Sequence, residues 1–349
     1  MDSTASMDRI RGPLNDRVRI RIGGVDQWVL LRGDDRTRPV LLLLHGKESA
    51  FPYSPYLGRR GGLERLFVVA YWDRRGTGKS AGRHVPRESI TIEQYVADTV
   101  ELVDWLRARF GVAKVALFGA SIGSLVGALA AMQAPERISV MVSMGQFVND
   151  VEATAIAHRI ALERARERGD AKAIHELEEI GLPPYDASSS WRFYAVAARV
   201  GPYADMPEAK ASFAVDLVKT VLRTPGYGIR DKLHALGKSG PLELLVPQLA
   251  RYDLRVDIPR IETAIVFLQG RLDHQTPGVL VEDFSRGLEA PAGKRLIWLE
   301  QSGHIVAPPD LEVFQTAMSE VADAIGRAEL ASAPVELSAA PRSDEVFAS

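Results

Sequence analysis

Polar and apolar residues alternate along "RVRIRI" (17–22) and "QWVLLR" (27–32), on either side of Gly23-Gly24. A period of two puts one face of a strand on a core, and a glycine pair permits the positive φ of a tight turn, so the segment predicts an antiparallel hairpin. The pattern then changes. "PVLLLLHG" (39–46) and "LFVVAYWD" (66–73) are unbroken apolar runs, as strands need when both faces of a parallel sheet are covered. In "TIEQYVADTVELVDWLRARFG" (91–111) apolar residues return every three or four positions, which predicts a helix. Thr91 and Gln94 have the spacing of a capping box, and Gly111 stands at the C-terminal stop. "KVALFGAS" (114–121) predicts the next strand, "IGSLVGALAAMQAP" (122–135) a small-residue helix stopped by Pro135, and "ISVMVSMG" (138–145) another strand. Strand, helix, strand at this spacing marks βαβ units of a parallel sheet.

From about 146 to 256 the strand pattern stops, and Ala-, Arg- and Glu-rich helical segments such as "DVEATAIAHRIALERARERGD" take over. Strands resume at "TAIVFLQG" (263–270) and "KRLIWLE" (294–300), and "LEVFQTAMSEVADAIGRA" predicts a final helix. A helical module is therefore expected inside an α/β sheet domain. Residues 1–145 and 257–328 form its two parts, 146–256 the insert and 329–349 an Ala-, Ser- and Pro-rich mobile tail.

Composition narrows the function. Against 43 Lys and Arg stand 45 Asp and Glu, a formal charge of -2, so no global field draws the protein to nucleic acid or an anionic membrane. The chain has no Cys, which removes thiolate metal sites and cysteine nucleophiles. Neither a secretory signal nor a membrane-spanning run is visible, so a soluble, cytoplasmic protein acting on a small molecule is expected.

Two serines sit in G-x-S-x-G, Ser80 in "GKSAG" and Ser121 in "GASIG". The stretch "GTGKS" also imitates the end of a phosphate loop. Its first glycine would fall at Asp73, however, and no helical segment follows Ser80. A nucleophile elbow needs a strand running into the serine and a helix running out. Ser121 meets both conditions, with Gly119 and Gly123 where side chains would crowd the turn; Ser80 meets neither. A serine hydroxyl needs a base, and the base an orienting acid. Asp273 in "GRLDHQTP" and His304 in "SGH" follow the carboxyl ends of later strands, where parallel sheets gather functional groups. His274 is the weaker base candidate. His158, His175 and His234 lie in the insert and are expected in solvent. The oxyanion would be held by the backbone N–H of Ile122 and of Lys47, on a turn shaped by His45 and Gly46.

These residues resemble the α/β-hydrolase superfamily, and within it the proline-iminopeptidase-like branch, over about residues 17–328. The resemblance rests on His45-Gly46, the "YWDRRGTGKS" loop, "GASIG", "GRLDHQTP" and "SGH". It implies a mostly parallel central sheet with helices on both faces and an inserted all-helical cap that selects substrate. It makes Asp73 and Arg75 structural groups of a loop under the site, and leaves Ser80 and Lys79 without chemistry. Iminopeptidases carry H-G-G-P-G where this chain has His45-Gly46-Lys47-Glu48-Ser49, and Trp where it has Ile122. They hold the substrate amine on cap carboxylates; the cap acids here include Glu152, Glu163, Glu176 and Asp205. Trp191 and Tyr194, three apart, share a helix face that either packs within the cap or lines an apolar pocket. The expected activity is a serine hydrolase needing no cofactor and no metal, acting on an ester or amide with an acyl or aminoacyl group. Lactone or thioester hydrolysis, acyl transfer, and a non-catalytic small-molecule binding protein are the alternatives.

Overall fold

The computed structural model describes residues 12–46, 61–201 and 241–327, and between the last two only 203, 219, 227–229, 231 and 232. The expected hairpin is β1 (Leu14–Ile22) and β2 (Val25–Gly33), in antiparallel register with Ile22 opposite Val25. It is followed by β3 (Val40–Leu44), β4 (Val68–Asp73), α1 (Ile92–Phe110), β5 (Val115–Ala120), α2 (Ile122–Gln133) and β6 (Ile138–Met144). The insert contributes α3 (Asp150–Glu167), α4 (Ala171–Ile180), α5 (Ala187–Val200) and α6 (Leu242–Leu249). The chain closes with β7 (Ala264–Gly270), α7 (Gly278–Gly287), β8 (Lys294–Leu299) and α8 (Leu311–Arg327).

All eight strands join one sheet in the order β1-β2-β4-β3-β5-β6-β7-β8, parallel from β4 onward. Strand order reverses between β3 and β5, so a crevice opens there at the carboxyl ends. Alternate residues of the central strands feed two cores. Val68, Ala70 and Trp72 join residues of α1, α2 and α7 on one face, while Val69 and Tyr71 meet Phe314 and Met318 of α8 on the other. Thr91 caps α1 by accepting from the Gln94 N–H at 3.0 Å, but only this half of the capping box forms. The Gln94 side chain donates instead to Asp98, one turn on, because that buried carboxylate offers a stronger acceptor site.

Asp98 also receives Arg75 through Nε at 2.6 Å and Nη2 at 2.8 Å, with both side chains fully buried. Arg75→Met is therefore expected to destabilise the fold by about 3–5 kcal/mol in urea unfolding, because it strands the Asp98 charge. A loss below about 1 kcal/mol would show the pair to be dispensable. The rest of this loop is structural too. Asp73 accepts from the Lys79 N–H and from the Tyr227 hydroxyl, and the Lys79 ammonium lies 3.0 Å from Asp231. Ser80 is fully buried and its hydroxyl accepts from the Trp28 N–H at 2.8 Å.

The inserted helices carry a small-residue core of their own. Ala157, Ala161 and Ala165 of α3 face Ala173 and Leu177 of α4 and Phe193, Val196 and Ala197 of α5. That close approach corrects the expectation for His158. It is 4% exposed, with Nε2 3.1 Å from the Leu177 carbonyl and its ring stacked on Phe193. His175 is exposed as expected, and His234, Asp205 and the tail fall outside the described residues. Tyr194 stacks on Tyr203 at 5.4 Å and packs against the insert's own core; Trp191 is half-buried on the same helix.

Candidate active site

Ser121 joins β5 to α2 at φ 55°, ψ -123°, and is the one non-glycine residue of positive φ among the described residues. Such a conformation costs about 1–3 kcal/mol and persists only where surrounding contacts impose it. Here they do. The Ser121 N–H donates to the Met144 carbonyl at 3.0 Å, and its own carbonyl accepts from the Ser124 N–H and hydroxyl at 2.7 and 2.6 Å. The Ser124 hydroxyl in turn accepts from the Phe147 N–H, tying the elbow to the segment after β6.

The flanking glycines are required by backbone contact. A Cβ on Gly123 would lie 2.0 Å from the Leu44 carbonyl oxygen, and one on Gly119 would lie 2.5 Å from that of Gly123. The start of α2 is thereby pressed against the end of β3, which brings Ile122 beside the His45-Gly46 turn. Ile122 is the first residue of α2, so its N–H has no acceptor within the helix. Lys47, the expected second donor, lies outside the described residues.

The turn itself is held by a residue that the sequence pattern did not single out. Arg74, 1% exposed, donates from Nη2 to the Gly46 carbonyl at 2.6 Å and lies 4.7 Å above the Tyr95 ring. Burial and then the adjacent Arg74 guanidinium hold the His45 imidazole well below its usual pKa, which keeps it neutral.

Asp273 and His304 meet as the sequence predicts. Nδ1 of His304 is 2.8 Å from Oδ2 of Asp273; the acid is fully buried and the imidazole 13% exposed. The same oxygen accepts from the Thr276 hydroxyl at 2.6 Å, while Oδ1 accepts from the N–H groups of Gln275 and Thr276 at 2.8 and 3.0 Å. Burial alone would raise the Asp273 carboxyl, but the attraction of His304 and these hydrogen bonds outweigh it and leave the pKa below the ordinary value. Thr276 was foreseeable only as the fourth residue of an Asp-initiated turn.

Gly145, directly after β6, links the serine to this pair. Its neighbour Met144 accepts from Ser121, and a Cβ on Gly145 would lie 3.0 Å from Nδ1 of His304 and 3.2 Å from Oδ2 of Asp273. Gly145 also has φ 58°. Gly145→Ala is expected to displace the imidazole and reduce hydrolysis about tenfold or more while the fold survives. Rates and thermal melting measured together test this, and an unchanged rate would contradict it.

The sequence model of the alpha/beta hydrolase fold matches residues 39–306, a span that holds Ser121, Asp273 and His304. The chain belongs to the alpha/beta-hydrolase fold family. Among its relatives this hydrolase-fold chain is similar to a Bacillus subtilis (strain 168) protein named probable aminopeptidase YbaC, 27% identical over 308 residues, covering 86% of this chain and 94% of that one. In fold it is similar to a proline iminopeptidase-related protein of Thermus thermophilus, at TM-score 0.60 and 18% identity over 90% of this chain and 99% of that one. The proline iminopeptidase of Mycobacterium smegmatis superposes with TM-score 0.57 at 15% identity, again over 90% and 99%. Among the described residues no helix is long and apolar enough to cross a membrane, and no cluster of His, Asp and Glu could hold a metal ion.

Proposed function

We propose that this hydrolase-fold chain is a serine hydrolase that cleaves an ester or amide of a small molecule through an acyl-enzyme on Ser121. The observation that carries this reading is the strained Ser121 elbow at the end of β5 together with the hydrogen-bonded Asp273–His304 pair, against which a Cβ on Gly145 would crowd. In the proposed sequence Ser121 Oγ attacks the acyl carbon and His304 Nε2 takes its proton. Asp273 holds the imidazole with Nδ1 protonated and steadies the cation that forms. The N–H of Ile122, with that of Lys47 as the second donor, holds the tetrahedral oxyanion. The His304 proton then passes to the leaving group, and water repeats the cycle to release the acid. The insert between β6 and β7 covers the crevice and selects the substrate. The 27% identity to a protein named as a probable aminopeptidase supports an aminoacyl group.

The test is a broad fluorophosphonate followed by intact-mass measurement and peptide mapping. One adduct on Ser121 is expected. No adduct on the folded protein would overturn the reading in favour of a binding protein.

A further inference from the structure

Ser124 lies in the first turn of α2 and is fully buried. Its hydroxyl donates to the Ser121 carbonyl at 2.6 Å and accepts from the Phe147 N–H at 2.8 Å. The Ser124 N–H donates to the same Ser121 carbonyl at 2.7 Å. A helical serine often bonds back to a carbonyl one turn earlier, and by itself that bond says nothing about chemistry. Here two further facts bear on it: which carbonyl is held, and where the second bond comes from.

The Ser121 carbonyl belongs to the same peptide unit as the Ile122 N–H. That unit is planar and trans, so its C=O and N–H point in opposite directions and turn together. Their direction follows from ψ of Ser121, which at -123° is far from the helical value. Two hydrogen bonds on the carbonyl therefore fix where the Ile122 N–H points, a donor with no acceptor within the helix. They also polarise the amide, since hydrogen bonds in a chain strengthen one another.

The second bond comes from a segment 23 residues further along the chain. Phe147 is buried, and its carbonyl accepts from Nε2 of Gln146 at 2.6 Å. Two residues before it stands Gly145, on which a Cβ would crowd His304. The series from Phe147 N–H through the Ser124 hydroxyl to the Ser121 carbonyl thus joins the elbow to the segment that packs against the imidazole.

We infer that Ser124 is a positioning residue that aims the Ile122 N–H at the oxyanion. It acts without touching substrate, because it is fully buried and its hydroxyl already donates once and accepts once. This rests on Ser121 as the nucleophile and Ile122 as an oxyanion donor, and adds the side chain through which that donor is held.

Ser124→Ala tests it, with 4-nitrophenyl acetate and the thiono analogue in which sulfur replaces the carbonyl oxygen. For the ester, kcat is expected to fall about 10- to 100-fold with little change in KM, somewhat less than the loss of an oxyanion donor outright. Sulfur is a weak hydrogen-bond acceptor and gains little from a well-aimed N–H, so the thiono analogue should slow less than about threefold. The alanine variant leaves the Phe147 N–H without its acceptor and should melt lower than the wild type. Ser124→Cys fills the space with a weaker donor and acceptor. It should melt closer to the wild type and show the same preference for slowing the ester. Equal slowing of both substrates gives Ser124 a merely structural role and overturns the inference, as does an unchanged ester rate in folded Ser124→Ala. If the fluorophosphonate still labels Ser121 in the wild type, these outcomes overturn the positioning role alone. A wild-type protein that neither hydrolyses the ester nor takes the label overturns the nucleophile, and the positioning role with it.

Discussion

Ser121→Ala is expected to lower turnover by about four to six orders of magnitude, to the level left by binding and oxyanion stabilisation. The backbone of the elbow is held by Met144, Ser124 and the packing of Gly123 on Leu44, none of which needs the Ser121 hydroxyl. The variant should therefore fold, and alanine pays no more than serine for the positive φ. Ser80→Ala is the control. Its hydroxyl accepts one backbone hydrogen bond, from Trp28, in a fully buried position. Its loss is expected to destabilise by about 1–3 kcal/mol while most activity survives. Rates of ester and amide hydrolysis with both variants, alongside urea unfolding, separate the two serines. Equal losses of activity would contradict the assignment of the nucleophile.

Asp273→Asn is expected to reduce kcat by about 10⁴ with little change in the fold. The reason lies in how the carboxylate is surrounded. Oδ1 faces the N–H groups of Gln275 and Thr276, which are donors only, so the amide oxygen of Asn must take that side. The amide NH2 is then forced toward His304 Nδ1. A donor there requires Nδ1 to be the unprotonated nitrogen, so the proton moves to Nε2. His304 in that tautomer cannot accept the proton of Ser121. Fluorophosphonate labelling should slow in parallel with kcat, whereas KM should change little, since Asp273 is fully buried behind His304. A variant with unimpaired kcat would remove Asp273 from the mechanism.

The two effects differ in how far they could be foreseen. Ser121, Asp273 and His304 each follow an apolar run that ends in a turn, and strand ends of a parallel sheet lie on one side of it. Chain order and local pattern were therefore enough to place each of the three just after the carboxyl end of a strand of one sheet. The donors around Asp273 were legible only in part, because Thr276 is three residues away whereas the orientation of His304 depends on the whole sheet. His158 shows the opposite case. On a helix rich in Glu and Arg it looks solvated, but the alanines beside it let α4 approach close enough to bury it. Gln94 shows a local signal overridden, since the capping geometry competes with a carboxylate held in place by Arg75 and Gln27.

By itself the sequence determined the order of strands and helices, the helical insert, the strand-to-helix turn at Ser121 that Ser80 lacks, and the places of Asp273 and His304 after strand ends. These follow from periodicity and turn chemistry, which act between neighbours in the chain. Tertiary structure alone decided that Gly145 must make room for His304, that Arg74 braces the His45-Gly46 turn, and that His158 is buried against Leu177 and Phe193. Each of these depends on burial or on contact between segments remote in sequence, and such contacts leave no period along the chain from which to read them.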